Sequence, residues 1–279
     1  MSKTQKIVPI FSGGGTRLPA HIGILQALHD LDISFDTIVG ISGGSIVSAL
    51  YANNMPLKQI LQLATVTNFG QFKEFSFWRL LTKGGFSSGK KFEVWIDKQL
   101  GSKTFEELDA ALHIIATDLN GGGPVIFNKH TSPKLKVSKA VRYSMSIPLI
   151  FSSSVYKDHL LVDGAILSED ALFNDWQGDG TPNVCFRLCS NQKPPPLNTN
   201  RRFILPQYIQ MLIRTFMNAL AREYVHANFW HNTIVVDTGA TSPVDFAMSP
   251  GQKEALYDIG YNTVKEYLPI KLAKIKREN

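Results

Sequence analysis

Residues 36 to 53, DTIVGISGGSIVSALYAN, run from an apolar strand through a serine set between glycines and straight into a helix. No other stretch restricts the fold as much. Thr37, Ile38 and Val39 read as a short buried strand, and Ile46, Val47, Ala49 and Leu50 recur at helical spacing. The reversal between them must therefore be made within Gly40-Ile41-Ser42-Gly43-Gly44. That pentapeptide fits G-x-S-x-G, a turn that holds its serine in a strained backbone conformation with the hydroxyl above the sheet. Gly40 and Gly44 leave out Cβ atoms where strand and helix must approach closely. The N–H of Gly43, at the helix N-terminus, points where a tetrahedral oxyanion would form. A glycine-rich strand-to-helix turn also binds phosphate, so the motif alone leaves catalysis and phosphate binding both open.

A second loop follows the same plan. IVPIF at 7–11 reads as a strand in which Pro9 suits an edge or an early residue. Ser12-Gly13-Gly14-Gly15-Thr16-Arg17 ends it, and Pro19 opens a helix whose Ile22, Leu25 and Leu28 share a face. Three consecutive glycines let successive N–H groups converge on an anion beside a helix N-terminus. Three readings compete for the loop. A dinucleotide fingerprint fails at Leu18, where a small residue belongs, although Asp36 lies near the distance of a ribose contact. A P-loop needs G-K-S or G-K-T, which is absent. An oxyanion hole of Gly13, Gly14 and Gly15, working with Gly43, accounts for both glycine loops together. Arg17 either supports this loop or pairs with a carboxylate on the surface.

Further along, 55–66 reads as a helix, and then the composition changes. Phe69, Phe72, Phe75, Phe77, Trp78, Phe86 and Phe92 are interleaved with Lys73, Arg79, Lys83, Lys90 and Lys91. Two readings fit: a lid that docks on a bilayer surface, or a helical hairpin whose aromatics are core. Helices are expected over 92–100, from Thr104, and over 137–145; strands at 113–118 and 124–128 form a hairpin, with more at 155–156, 160–162 and 184–188. NQKPPPLNTN at 191–200 reads as a surface loop, followed by a helix over 206–230, a buried strand from Thr233 and a helix over 250–268.

A serine hydroxyl needs a neighbouring base. None of the seven histidines follows a strand end in a catalytic turn, whereas Asp163 follows the apolar Leu160-Leu161-Val162 and precedes Gly164. It is expected at the same sheet edge as Ser42, where desolvation would raise its basicity. The alternative is a turn aspartate that caps backbone N–H groups.

With 279 residues, 44% hydrophobic and 19% charged, the chain describes one globular domain over 1–279. No run approaches the roughly 18 apolar residues that span a bilayer, and MSKTQKIVPIF has no h-region, so the expectation is a cytoplasmic protein. Cys185 and Cys189 lie ~13 Å apart along one strand, too far for a disulfide, and are expected as buried thiols. The net charge of +6 favours anionic partners, nucleic acid or membrane, without choosing. There is no D-x-[DN]-x-[DN]-G loop and no H-E-x-x-H pair, so neither metal nor cofactor is expected.

GGGTR at 13–17, GISGG at 40–44, SMSIPLIF at 144–151 and LVDGA at 161–165, in that order, resemble the patatin-like phospholipases. ATDLNGG at 116–122 and the last helix also resemble that family, so the likeness covers nearly the whole chain. It implies a three-layer α/β/α fold with a mostly parallel central sheet and hydrolysis of lipid acyl esters by a serine/aspartate dyad. Ser42 matches the nucleophile, Asp163 the base, and glycines 13 to 15 the oxyanion loop. The implied partners are a phospholipid or other acyl ester and, peripherally, a membrane surface, with no nucleic acid. A thioesterase or general esterase on the same dyad, or a non-catalytic phosphate- or membrane-binding module, are the alternatives. Two positions depart from the family pattern: Leu18 stands where a further glycine is usual, and Ser168-Glu169-Asp170 replace the turn that commonly follows the aspartate.

Overall fold

The computed structural model describes residues 5–167, 174–190 and 231–278, with isolated positions between 208 and 215. Its strands are β1 (Gln5–Lys6), β2 (Val8–Ser12), β3 (Ile33–Ser34), β4 (Thr37–Ile41), β5 (Gly85–Ser87), β6 (Ala111–Asp118), β7 (Gly123–Phe127), β8 (Leu149–Phe151), β9 (Ser154–Tyr156), β10 (His159–Val162), β11 (Asn183–Cys189) and β12 (Thr233–Asp237). Its α-helices are α1 (Leu18–Asp30), α2 (Gly43–Ala52), α3 (Leu57–Val66), α4 (Phe77–Lys83), α5 (Lys90–Gln99), α6 (Val137–Ser144) and α7 (Pro250–Glu278).

One sheet organises these elements. In it β12, β11, β2, β4, β6, β10 and β9 lie side by side in that order, and β7 also pairs with β6. The five strands from β12 to β6 are parallel, while the pairings of β7, β10 and β9 are antiparallel. The chain adds β4 and β6 on one side of β2 and β11 and β12 on the other, so the strand order turns at β2. Open α/β sheets bind ligands beyond the carboxyl ends of their strands at such a point. Ser12 is registered with Ile41, and Ile41 with Ile115, so the loop after β2 and the turn after β4 leave the same edge side by side. Pro9 is the second residue of a central strand; pairing with β4 begins only at Ile10, so its missing N–H breaks no ladder there.

Successive strand residues face opposite sides. Phe11, Ile38, Ile114, Phe186 and Ile234 join a core with α1, α2, α3, α5, α6 and α7, whereas Ile10, Val39, Ile41, Ile115 and Cys185 pack with Ile147, Phe151, Ala165 and Val244. Helix α7 lies against α1, and Gly23 and Gly260 permit the contact. A Cβ at Gly23 would sit 2.0 Å from the Tyr257 carbonyl oxygen, and one at Gly260 2.0 Å from that of Ala20. Lys253 of α7 donates to the carbonyls of Ala64, Thr65 and Thr67 at 2.6 to 3.1 Å, closing the C-terminal end of α3.

The sequence expectations need two adjustments. Helix α7 does not stop at Leu268 but runs through Pro269 to Glu278, because Val264, Leu268, Leu272 and Ile275 continue one buried stripe. Residues 69–91 are neither a helical hairpin nor wholly a lid: a 3₁₀ turn (Phe69–Phe72), α4 and β5 follow one another. Phe69, Phe72 and Phe92 are buried around Trp95, with ring centroids 5.3 to 6.0 Å apart, while Phe75, Phe77 and Trp78 are exposed. The expected loop at 191–200, most of the helix expected over 206–230, and Ser168-Glu169-Asp170 lie outside the described residues. Cys185 and Cys189 are both buried, and burial pushes the Cys185 thiol up to about 12.

Candidate active site

Ser42 stands between β4 and α2 with φ 54° and ψ −129°. A side-chain-bearing residue rarely adopts this conformation, which costs about 1–3 kcal/mol. Three neighbours hold it there. The Ser42 N–H donates to Ser144 Oγ at 2.8 Å, and that hydroxyl in turn donates to the Ile115 carbonyl of β6 at 2.6 Å. The Ser42 carbonyl accepts from the N–H and the hydroxyl of Ser45, at 2.9 and 2.6 Å.

The free hydroxyl of Ser42 donates to Asp163 Oδ2 at 2.7 Å. Asp163 follows β10, and its other carboxyl oxygen accepts from the Ala165 N–H at 2.9 Å. The backbone N–H groups of Asp163 and Gly164 donate to the carbonyls of Ser146 and Ser144, so the end of α6 positions both members of the pair. Asp118 steadies β10 from the other end, accepting from the N–H groups of Asn120, Gly121 and Leu160 and bonding His159 Nδ1 at 2.8 Å. Neither Ser42 nor Asp163 has any solvent exposure. Burial pushes the Asp163 carboxyl up to about 7, against the smaller downward pull of its bonds from Ser42 and Ala165.

The glycine loop lies against this pair. A Cβ on Gly43 would fall 2.6 Å from both the nitrogen and the carbonyl oxygen of Gly15, so only glycine fits after the serine. The loop's peptides are oriented one by one. The Gly13 carbonyl accepts from the Gly44 N–H and from His21 Nε2, both at 3.0 Å. The Gly14 carbonyl accepts from the Arg17 N–H and from Arg17 Nε, both at 3.0 Å. Because a trans peptide sets its N–H opposite its C=O, these bonds also aim the N–H groups of Gly14 and Gly15. Among the described residues, the N–H groups of Gly14, Gly15 and Gly43 make no hydrogen bond.

Arg17 is therefore no surface residue. It is 3% exposed, and its guanidinium also reaches the Cys189 carbonyl at 3.1 Å and Thr238 Oγ1 at 2.5 Å, tying the loop to β11 and the end of β12. His21 was not singled out by its sequence position, yet it is fully buried beneath the loop, edge-on to Phe11. Burial lowers it to about 4, so it is neutral at physiological pH, and its bond to a carbonyl requires the proton on Nε2. Its one legible signal is a lone polar residue on the apolar face of α1, one turn after Arg17. Ser144 and Ser146 likewise act through contacts that are remote in sequence.

The hydroxyl of Ser42 is covered rather than open above the sheet. Met145 Sδ lies 4.0 Å from it. Beyond Met145 is an apolar cavity bounded by Gly15, Ile46, Phe72, Phe151 and Phe246, with a free volume of about 20 Å³, room for little more than a water.

Comparison with known proteins adds family to geometry. The family model described as patatin-like phospholipase matches residues 10–172, more than half of the chain. An uncharacterized protein of Acanthamoeba polyphaga mimivirus is 28% identical over 276 residues, covering 92% of each chain. The lysophospholipase NTE1 of Candida glabrata is 35% identical over 113 residues, which are 37% of this chain and 6% of the fungal protein. Among solved structures, VipD from Legionella pneumophila is similar with a TM-score of 0.63 at 14% identity, over 95% of this chain and 67% of that one.

Proposed function

The chain belongs to the patatin-like phospholipase family, and we propose that it is a serine acyl hydrolase that cleaves carboxyl esters of phospholipids or lysophospholipids. The observation that carries this reading is the 2.7 Å bond from the Ser42 hydroxyl to an Asp163 carboxyl that burial has made basic near neutral pH. A general base works best with a pKa near the operating pH, and Asp163 meets that condition without a histidine. His21 is spent on Gly13, His113 on Asn128 and His159 on Asp118.

In the proposed reaction Asp163 takes the hydroxyl proton as Ser42 Oγ attacks the ester carbonyl. The N–H groups of Gly14, Gly15 and Gly43 receive the oxyanion, a type of stabilisation for which each donor is worth about 2.7–4 kcal/mol. Collapse expels the alcohol, which recovers its proton from Asp163; a water activated by the same carboxylate then releases the fatty acid. The apolar cavity behind Met145 is the expected start of the acyl-chain path. A phosphate-binding use of the glycine loops is disfavoured by the carboxyl group at the serine, which would repel the anion. Such a substrate is met at a bilayer surface, and among the described residues no helix is long and apolar enough to cross a membrane.

The test is covalent. A fluorophosphonate should label wild-type protein at Ser42, and Ser42→Ala should be neither labelled nor able to hydrolyse a short-chain ester while keeping its thermal midpoint. Labelling at a different residue, or turnover retained by Ser42→Ala, would remove the assignment.

A further inference from the structure

Phe72 lines the cavity beside Ser42, and three residues later Phe75 is 77% exposed. Helix α4 follows with no buried residue, and its Phe77, Trp78 and Leu81 stand in solvent. Between residues 69 and 91 there are five cations, Lys73, Arg79, Lys83, Lys90 and Lys91, against one acid, Glu74. A patch of large apolar side chains is unfavourable in water and marks an interaction surface. In a segment with this excess of cations, it suits an anionic bilayer, where rings enter the headgroup layer and ammonium groups meet phosphate.

The patch is fastened to the covering of Ser42. Phe75 stacks on Phe86 with centroids 4.7 Å apart, and the Ser76 N–H donates to the Phe86 carbonyl at 3.2 Å. Phe86 belongs to β5, whose Gly85 and Ser87 pair with Leu149 and Phe151 of β8. Ser87 Oγ donates to the Phe72 carbonyl at 3.1 Å. Phe72 and Phe151 both bound the cavity, so β5, on which the exposed Phe75 stacks, is bonded to both parts of its roof, to Phe72 through Ser87 and to Phe151 through β8. The roof is also strained: Leu149 has φ 69°, in the left-handed region that favours glycine.

We propose that α4 with Phe75 is a docking element for an anionic lipid surface, and that docking draws β5 and β8 off the cavity, so that the buried serine opens only at the membrane. The inference rests on the acyl hydrolase reading and deepens it by naming how the site is switched on.

The experiment measures the rate at which a fluorophosphonate labels Ser42 with and without vesicles of diether phosphatidylglycerol and diether phosphatidylcholine in equal parts, which cannot be hydrolysed. For wild-type protein the vesicles should raise the rate roughly tenfold or more, as expected when a ligand selects an open state populated at ~0.1–10%. In Phe77→Ser/Trp78→Ser/Leu81→Ser the ratio should fall to about one, with the thermal midpoint kept since none of the three is buried. Lys83→Glu/Lys90→Glu/Lys91→Glu should lose the acceleration at low salt and fall closer to wild type at high salt, where the surface attraction of wild type is screened as well. Trp78 emission should shift to the blue on vesicle binding. Acceleration that survives in the triple serine variant overturns the proposal, as does a wild-type protein labelled equally fast with and without lipid. If Ser42 takes no probe at all, the hydrolase reading has failed separately; sedimentation with vesicles by wild type and not by the variant then keeps the docking surface, and no sedimentation ends it. A wild-type dimer that the variant dissolves would assign the patch to a second copy and overturn the lipid reading.

Discussion

Replacing Asp163 by Asn should slow the protein by orders of magnitude and, increasingly from pH ~4 to ~7, make it more stable. Asn keeps the volume and both hydrogen bonds: its carbonyl oxygen accepts from the Ala165 N–H, and its amide donates to Ser42 Oγ. What changes is the charge. In the unfolded chain Asp163 ionises at its ordinary value of 3.8, whereas in the folded protein burial raises it to about 7. Between those values the folded state holds a proton that the unfolded state has released, so wild-type stability falls as pH rises through this window. At about 1.4 kcal/mol per pH unit, the loss is complete above pH ~7 and amounts to on the order of 4 kcal/mol. The variant lacks this loss. Its thermal midpoint should match wild type near pH 4 and exceed it by roughly 8 °C near pH 8, at about 2 °C per kcal/mol for a chain of this size. In parallel, the wild-type kcat/KM for a soluble ester should rise with pH through a midpoint near 7 as the base is freed, and the variant should be slower by about 10² to 10⁴. In scanning calorimetry of both proteins the difference should level off at the pH where the pH–rate profile has its midpoint, if one carboxyl governs both. A midpoint difference that stays constant from pH 4 to 8, or a variant less stable at pH 8, would defeat the account of Asp163 as a desolvated base.

Gly43→Ala should cost both activity and stability, because its Cβ would meet Gly15 backbone at 2.6 Å and push the loop away; a variant that folds and turns over at the wild-type rate would contradict that contact. His21→Phe keeps the ring but deprives the Gly13 carbonyl of one donor, so kcat should fall about tenfold with KM little changed, less than the roughly 10²–10³ lost when an oxyanion-hole donor is removed outright. His21→Gln, which restores an N–H donor, should recover part of that loss, and equal rates for the two variants would reduce His21 to packing. No histidine limb near pH 6.5 is expected in the pH–rate profile, since burial holds His21 at about 4.

The two glycine turns could be located from sequence because each is local: strand, turn and helix are written within some fifteen residues, and the missing Cβ atoms are explicit. Asp163 was legible for a similar reason, as the first polar residue after an apolar strand and just before Gly164. His21, Arg17 and Ser144 were not legible in the same way. Their partners are the carbonyls of Gly13 and Gly14 and the N–H of Ser42, and which backbone group a buried polar side chain meets is decided by packing between elements. The aromatic segment shows the same limit. Phe72 and Phe75 look alike in the chain, yet Phe72 is buried against Phe92 and Trp95 while Phe75 stacks on Phe86 and stays exposed. The passage of α7 through Pro269 was hidden because proline signals an end, whereas the buried stripe of Leu272 and Ile275 against the core outweighs the lost backbone bond.

The bond between Ser42 and Asp163 spans 121 residues, and the one that holds the Ser42 backbone spans 102. A chain emerging from the ribosome therefore displays its serine long before the carboxyl that would activate it exists. Contacts so distant in sequence are slow to form, since the loop between them must be ordered before they reward it. Ser45 holds the twisted serine locally, but its second hold, the bond to Ser144, waits for α6 to lie against the sheet. Reactivity toward a fluorophosphonate is thus a clock for the assembly of β4, β6 and β10, and during refolding it should lag behind the appearance of helix. On the proposed reading, an unfinished molecule carries no armed nucleophile and is safe to the lipids around it.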